Sequence, residues 1–377
     1  MFLPPYDNPD DSGREWQQEG VRIRNIKMSF AKPSRNGNGI GHLSTAATLL
    51  SAPQLVSSLV REVNRFRPDV IHVFKPKGFA GAAGSYFLLK RACNLVLDCD
   101  DWEGWGGWND VKDYSWAVKE YIDRQERWMM RHAPAVTVAS RVLEQRAAEL
   151  RDGANHTYYV PNCGPSRGNE DLLAAASSLS QSEARRSLGL ADGTTILYSG
   201  HFDAGEDAAF FCRSMAPVAN RHNANVVFVG DGPQLQMVRS YFAEYPNAKL
   251  FFFPQLKYED FLRVIWASDI AAFPFPDDAV HRAKCSARIV DYMKMSRPVL
   301  TSAVGQNCEY IVDGESGVLV QPGNEQQFTE KLDLLMRDVE LRERLGKNAG
   351  DRIRQIFRWD GDPVRQCLAA YNSVLRR

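Results

Sequence analysis

An excess of either charge is lacking: 46 Lys and Arg stand against 46 Asp and Glu in 377 residues, and the pI is near 7.0. Without a basic field to engage a phosphate backbone, general nucleic-acid binding is not expected. Cysteine supplies no framework either. The seven residues, at 93, 99, 163, 212, 285, 308 and 367, are scattered, odd in number and without a Cys-x-x-Cys pair, which argues against a disulfide scaffold or a zinc site. His72, His201 and His281 have no ligand spacing. No apolar run approaches the ~20 residues of a membrane span, and Pro4, Pro5 and acids stand where a signal segment would be basic and then apolar. A cytoplasmic protein is expected, without a transmembrane segment and with at most peripheral membrane contact. What is present is an ordinary globular composition, 44% hydrophobic and 24% charged, of a length suited to two domains.

Short β-branched or aromatic runs alternate with longer amphipathic stretches, the pattern of parallel strands joined by helices. A first series places strands at 69–74, 95–98, 135–138 and 158–160, with helices near 49–66, 79–92, 115–131 and 141–151. A second places strands at 195–198, 226–229, 250–253, 270–273, 298–300 and 318–320. Residues 161–180, rich in Pro, Gly, Asn, Ser and Ala, read as the connection between them. Two such domains leave a ligand cleft at the carboxyl ends of their strands.

The unusual residues follow strands. Lys284-Cys285-Ser286-Ala287-Arg288-Ile289-Val290-Asp291 opens a helix with two cations and an acid. Free helix-terminal amides with nearby Lys and Arg suit a diphosphate, and Asp291 can accept bonds from a ribose diol. An i,i+3 ion pair between Arg288 and Asp291 on a solvated helix start is the plainer alternative. Asp98-Cys99-Asp100-Asp101-Trp102-Glu103-Gly104-Trp105-Gly106-Gly107-Trp108 interleaves carboxylates with Trp and Gly. Such a loop suits a sugar, whose apolar faces stack on rings and whose hydroxyls bind acids. Divalent-cation binding by the acids and simple packing of the Trp residues are the alternatives. Lys75-Pro76-Lys77 brings two more cations to the end of another strand.

The 284–300 segment resembles the donor-site segment of GT-B fold glycosyltransferases, especially glycosyltransferase family 4, in variants reading K-C-S-x-K-x-x-E-Y-M-x-x-x-x-P-V. Arg67–Val73, Val136–Ser140, Val160–Gly164, Ile196–Gly200, Val227–Pro233, Ala267–Ile270 and Val312–Val320 are also similar to family elements, in family order. The resemblance implies an α/β protein of GT-B fold, two doubly wound Rossmann-like domains facing across a cleft. Its expected parts are residues 1–165 on the acceptor side, a linker at 166–190, a nucleotide-sugar-binding domain at 191–355, and a helix at 356–377 packing back toward the first domain.

The implied activity is transfer of a sugar from a nucleoside-diphosphate-sugar donor to an unidentified acceptor, with retention of configuration and with no metal or other cofactor. Lys284, Ser286, Arg288, Asp291 and Gly230 are the candidates for nucleotide and phosphate. Asp101, and close behind it Asp100, are the catalytic candidates, and Trp102, Trp105, Trp108, Gly13 and Lys75 those for sugar or acceptor. Two departures from the family pattern stand out. Its paired glutamates fall on Ala283 and Asp291, and neither Arg nor Lys follows Gly200 in His201–Glu206. They motivate an alternative, a non-catalytic member that binds a sugar, a nucleotide or a partner protein.

Overall fold

A computed structural model describes residues 1–3, 12–18, 20–26, 45–91, 94–153, 155–164, 170–200, 202 and 208–375. The stretch 203–207 and His201, which carry the departure after Gly200, lie outside the described residues, as do 166–169.

The chain begins with three short strands, β1 (Phe2–Leu3), β2 (Glu15–Gln18) and β3 (Val21–Asn25), in the order β1-β3-β2. β2 and β3 form an antiparallel hairpin that turns through Gly20 at φ +79°, a conformation glycine adopts without strain. Helix α1 (Thr45–Phe66) then leads into a parallel sheet of β4 (Val70–Phe74), β5 (Asn94–Cys99), β6 (Ala135–Val138) and β7 (Thr157–Tyr159), ordered 4-5-6-7. Its crossovers carry α2 (Gly78–Lys90), α3 (Trp108–Val111), α4 (Trp116–His132) and α5 (Arg141–Leu150). Leu95, Leu97, Val136 and Val138 are fully buried between the layers, which is what β-branched and leucine runs dictate in a sheet covered on both faces.

Beyond α6 (Glu170–Ala176) and α7 (Gln181–Ser187) lies a second parallel sheet, ordered β10-β9-β8-β11-β12-β13. It comprises β8 (Thr195–Ser199), β9 (Asn225–Val229), β10 (Lys249–Phe253), β11 (Ile270–Phe273), β12 (Val299–Ser302) and β13 (Val318–Val320). Helices α8 (Ala208–Arg221), α9 (Leu235–Phe242), α10 (Tyr258–Ala267), α11 (Ala279–Ala283), α12 (Ala287–Lys294), α13 (Asn307–Tyr310) and α14 (Glu325–Arg337) connect or flank these strands, followed by α15 (Val339–Gln355) and α16 (Asp362–Leu375). The strand order reverses between β8 and β11, the switch point where such sheets open a ligand crevice. The last helix, α16, buries Ala370 and Val374 against Val96 and Ala135 of the first sheet, and Tyr371 Oη lies 2.9 Å from His72 Nδ1.

The stretch read as a connection is partly helical. Ser180 and Glu183 form a reciprocal capping box that starts α7, and Arg185 anchors that helix to Asp269 at 2.7 Å. A Ser- and Ala-rich composition conceals such a helix because only its cap has a specific signature.

Candidate active site

The site begins where β4 and β5 end. Alternation along β5 turns Cys99 into the core and sets Asp98 on the opposite face, where its Oδ1 accepts a 2.5 Å bond from Thr137 of β6. Burial and the neighbouring Asp100 push the Asp98 carboxyl up to about 6, although Thr137 and Lys75 oppose them. Burial also lowers His72, on the same face, to about 4, which keeps its imidazole neutral at physiological pH.

Lys75 follows β4 in the left-handed region, φ +66°, uncommon for a residue with a Cβ. Its N–H donates to the Asp98 carbonyl (3.1 Å), and its ammonium lies 2.8 Å from Asp101, 3.3 Å from Asp100 and 3.5 Å from Glu103. Lys77 pairs with the other Glu103 oxygen. Burial would lower the Lys75 pKa, but the three acids outweigh it and the ammonium is held charged. For Asp101, burial raises the pKa while the Lys75 charge and hydrogen bond, a bond from Trp108 and the Lys284 charge lower it. The net effect is downward. Asp100, more dominated by burial, moves upward. The pair thus presents one firm carboxylate beside one that takes a proton more readily.

The glycine-rich loop that carries these acids is clamped from α4. The N–H groups of Glu103 and Gly104 donate to Glu126 (2.8 and 3.0 Å), and that of Trp105 to Asp123 (3.0 Å). Glu126 is fully buried and is paired at 2.9 Å with Arg146, whose guanidinium stacks 4.0 Å from the Trp102 ring. A Cβ on Gly107 would meet the Trp102 carbonyl at 2.1 Å, which explains the glycine there.

The second sheet supplies a cationic face. Arg288 of α12 donates to the Ser199 carbonyl at the end of β8. Gly230, after β9 at φ +132°, brings its backbone so near Gly200 that an added Cβ would stand 2.0 Å from the Gly200 oxygen. Ser286, at the start of α12, is buried, and among the described residues its hydroxyl has no hydrogen-bond partner. Asp291, one turn beyond Arg288, accepts from Tyr258 Oη (2.9 Å) and Lys294 (3.1 Å). The alternative Arg288–Asp291 ion pair is therefore replaced by two other partnerships. Lys284, between α11 and α12, places its ammonium 5.7 Å from the Trp108 ring and 5.5 Å from that of Phe275.

Contacts between the halves flank Lys284. Ser140 donates to the Ala283 carbonyl (2.6 Å), and Asn162 Nδ2 to that of Cys285 (2.6 Å). Tyr310, fully buried, donates to the Asn162 carbonyl at 2.6 Å, and Glu309 accepts from Tyr159 (2.9 Å) and Arg141 (3.1 Å). Ala283, at the position of the family's first glutamate, packs into the apolar core of the first sheet.

The structure thus brings Asp100, Asp101, Lys75, Trp108 and Lys284 into one cluster and sets Arg288 at the second sheet's switch point, between Ser199 of β8 and Phe273 of β11, with Gly230 against Gly200 and Ser286 at the start of the same helix. Trp102 packs against Arg146 and the core, and Gly13, at φ +79°, forms the turn into β2. Trp105 faces outward, with its indole N–H donating to Glu120 at 3.2 Å. Asp123, Glu126 and Arg146 escape a reading by motif. One signal exists for Glu126: it stands in the apolar stripe of Ile122, Met129 and Met130, where a lone acid needs a partner. Among the described residues no group of three or more His, Cys, Asp or Glu is arranged to hold a metal, and no helix is long and apolar enough to cross a membrane.

Two parallel sheets, each presenting its carboxyl edge to a shared cluster, define a GT-B architecture. Residues 180–352 match the family model of glycosyl transferases group 1, and residues 1–163 match the glycosyl transferase 4-like domain. The chain belongs to this family of GT-B glycosyltransferases. It is similar to α-D-kanosaminyltransferase of Streptomyces kanamyceticus, 24% identical over 251 residues, 62% of this chain and 63% of the relative, so the match spans less than two thirds of that protein. Among solved structures, sucrose-phosphate synthase of Thermosynechococcus elongatus superposes with a TM-score of 0.74 at 18% identity, over 100% of this chain and 89% of the other. HepE of Anabaena, solved with UDP and glucose, gives 0.67 at 15% identity, over 95% and 87%.

Proposed function

We propose that this protein transfers a glycosyl group from a nucleoside-diphosphate sugar to an acceptor bound against the first sheet. The observation that carries this reading is the cluster formed across the halves, in which Asp101 is held as a carboxylate by Lys75 on its own side and by Lys284 from the other. The donor's diphosphate would lie at the start of α12, near Ser286, Arg288 and Lys284, with its ribose at Asp291. Preorganised cations and helix-terminal amides stabilise the charge that develops on the departing diphosphate, usually the main source of rate enhancement in such a reaction. Asp101 would orient the transferred sugar or take the acceptor's proton, with Asp100 beside it. We extend the proposal to retention of configuration and to turnover without a divalent cation, the cationic side chains serving in its place. The nucleotide half is taken as 191–355 and the acceptor half as 1–165.

A thermal-shift panel of nucleoside diphosphates, followed by a donor-hydrolysis assay, tests the reading. Stabilisation by one diphosphate and release of sugar from the matching donor are expected. Binding without turnover of any donor would instead favour a non-catalytic, nucleotide-binding member of the family.

A further inference from the structure

Large aromatic side chains remain on the surface beside the acidic loop: Trp105 is 36% exposed, Tyr114 40% and Trp116 68%. Rings of this size ordinarily bury most of their area, and an exposed group of them marks a contact surface. The group is continuous with the cluster at Asp101. Trp108, which bonds Asp101, starts α3, and the next residue, Asn109, ties that helix to α4 by donating to the Lys119 carbonyl at 2.7 Å. Lys119 stands 5.7 Å from the Trp105 ring, and the Trp105 indole is fixed to Glu120, which lies one helical turn after Trp116. A path therefore leads from Asp101 and Trp108, through Asn109 and Lys119, to Trp105, and through Glu120 to the turn of α4 that begins at Trp116. Charged groups border each step, with Lys112 only 4.9 Å from the Trp108 ring.

We propose that this path holds an extended carbohydrate acceptor, several sugar units long, whose reacting end reaches Asp101. The inference rests on the glycosyl-transfer reading above. A sugar chain alternates apolar ring faces, which stack on Trp and Tyr, with rims of hydroxyls, which need donors and acceptors between the stacking rings. Lys112, Asp113, Lys119 and Glu120 provide both. The charge argues against an anionic lipid surface, because residues 110–120 set Lys112 and Lys119 against Asp110, Asp113 and Glu120 and so carry no cationic excess. Interruption of the rings by charges likewise argues against a single apolar protein patch, whose centre is depleted of charge.

The test uses the whole chain on a glycan array, with affinity measured by calorimetry on the best oligosaccharide found. Trp116, at the far end and outside the cluster, is replaced in Trp116→Ala and Trp116→Tyr, and UDP, GDP, ADP and dTDP are titrated in parallel. Wild type should retain at least one glycan of three or more units. Trp116→Ala should weaken it about tenfold, the loss of one stacking contact, while Trp116→Tyr stays within about threefold and the best nucleotide binds unchanged. Retention of no glycan, or equal retention by Trp116→Ala, overturns the proposal. So does capture of phosphatidylglycerol-containing vesicles that depends on Trp116. Glycan binding lost in Trp116→Ala, in a chain that binds no nucleotide, would support the path while counting against glycosyl transfer.

Discussion

The Lys75 ammonium lies 2.8 Å from Asp101 Oδ2, a charge pair that joins the segments following β4 and β5. Its consequence is chemical as well as structural, because the pair keeps Asp101 ionised while Lys284 adds its charge from the other half.

Asp101→Asn removes that charge with little change of shape. General acid–base groups contribute typically 10²–10⁴-fold, so turnover should fall by about that factor, with nucleotide affinity and the unfolding midpoint nearly unchanged. Steady-state kinetics and calorimetry on one preparation check this. Full activity would return the loop to the surface, and an unfolded variant would make it scaffold.

Treatment with EDTA should leave most of the rate in place, since the cations proposed to meet the departing diphosphate belong to the protein. A rate abolished by chelation and restored by manganese or magnesium would make the acidic run a metal site.

Stability should depend on the clamp beneath the loop. Arg146→Met leaves Glu126 buried and without its cation, and breaking a buried pair on one side costs about 3–5 kcal/mol. Urea unfolding should register a loss of that order. Adding Glu126→Gln should recover part of it, because the neutral amide no longer needs the cation but still accepts from the loop.

Asp98 and His72 make opposing pH-dependent contributions. The folded protein keeps a proton on Asp98 up to about pH 6 against an ordinary 3.8, so between pH 4 and 6 this group lowers stability as pH rises, by at most about 3 kcal/mol. His72, lowered from 6.5 to about 4, does the reverse and favours the folded state as pH rises through the same range. Asp98→Asn should therefore be more stable than wild type by about 1–3 kcal/mol at pH 7.5, the gain shrinking toward pH 4. Denaturation at both pH values measures it. A gain that does not change with pH would mean that Asp98 does not carry the shifted titration.

The strands of both parallel sheets were legible because most are short β-branched or aromatic runs, as in Asn225–Val229 and Lys249–Phe253. The opening hairpin was not. Glu15-Trp16-Gln17-Gln18 carries too little apolar character to mark a face. At the site, resemblance pointed to the residues around Arg288, and composition pointed to the acidic Trp loop. Neither reveals that Lys284 meets the environment of Asp101 some 180 positions earlier in the chain, since that pairing exists only once the two sheets face each other. The clamping role of Glu126 is hidden for the same reason, its partners being backbone amides of a distant loop.

The most direct test of the account is calorimetric titration of nucleoside diphosphates into wild type and Asp291→Ala. One diphosphate should bind wild type, and the variant should bind it tenfold or more weakly, the loss of a charge-assisted hydrogen bond being typically about 1.5–3 kcal/mol. Undetectable binding of every diphosphate to wild type would contradict the placement of a nucleotide-sugar donor at α12, and equal affinity in the variant would remove Asp291 from the site.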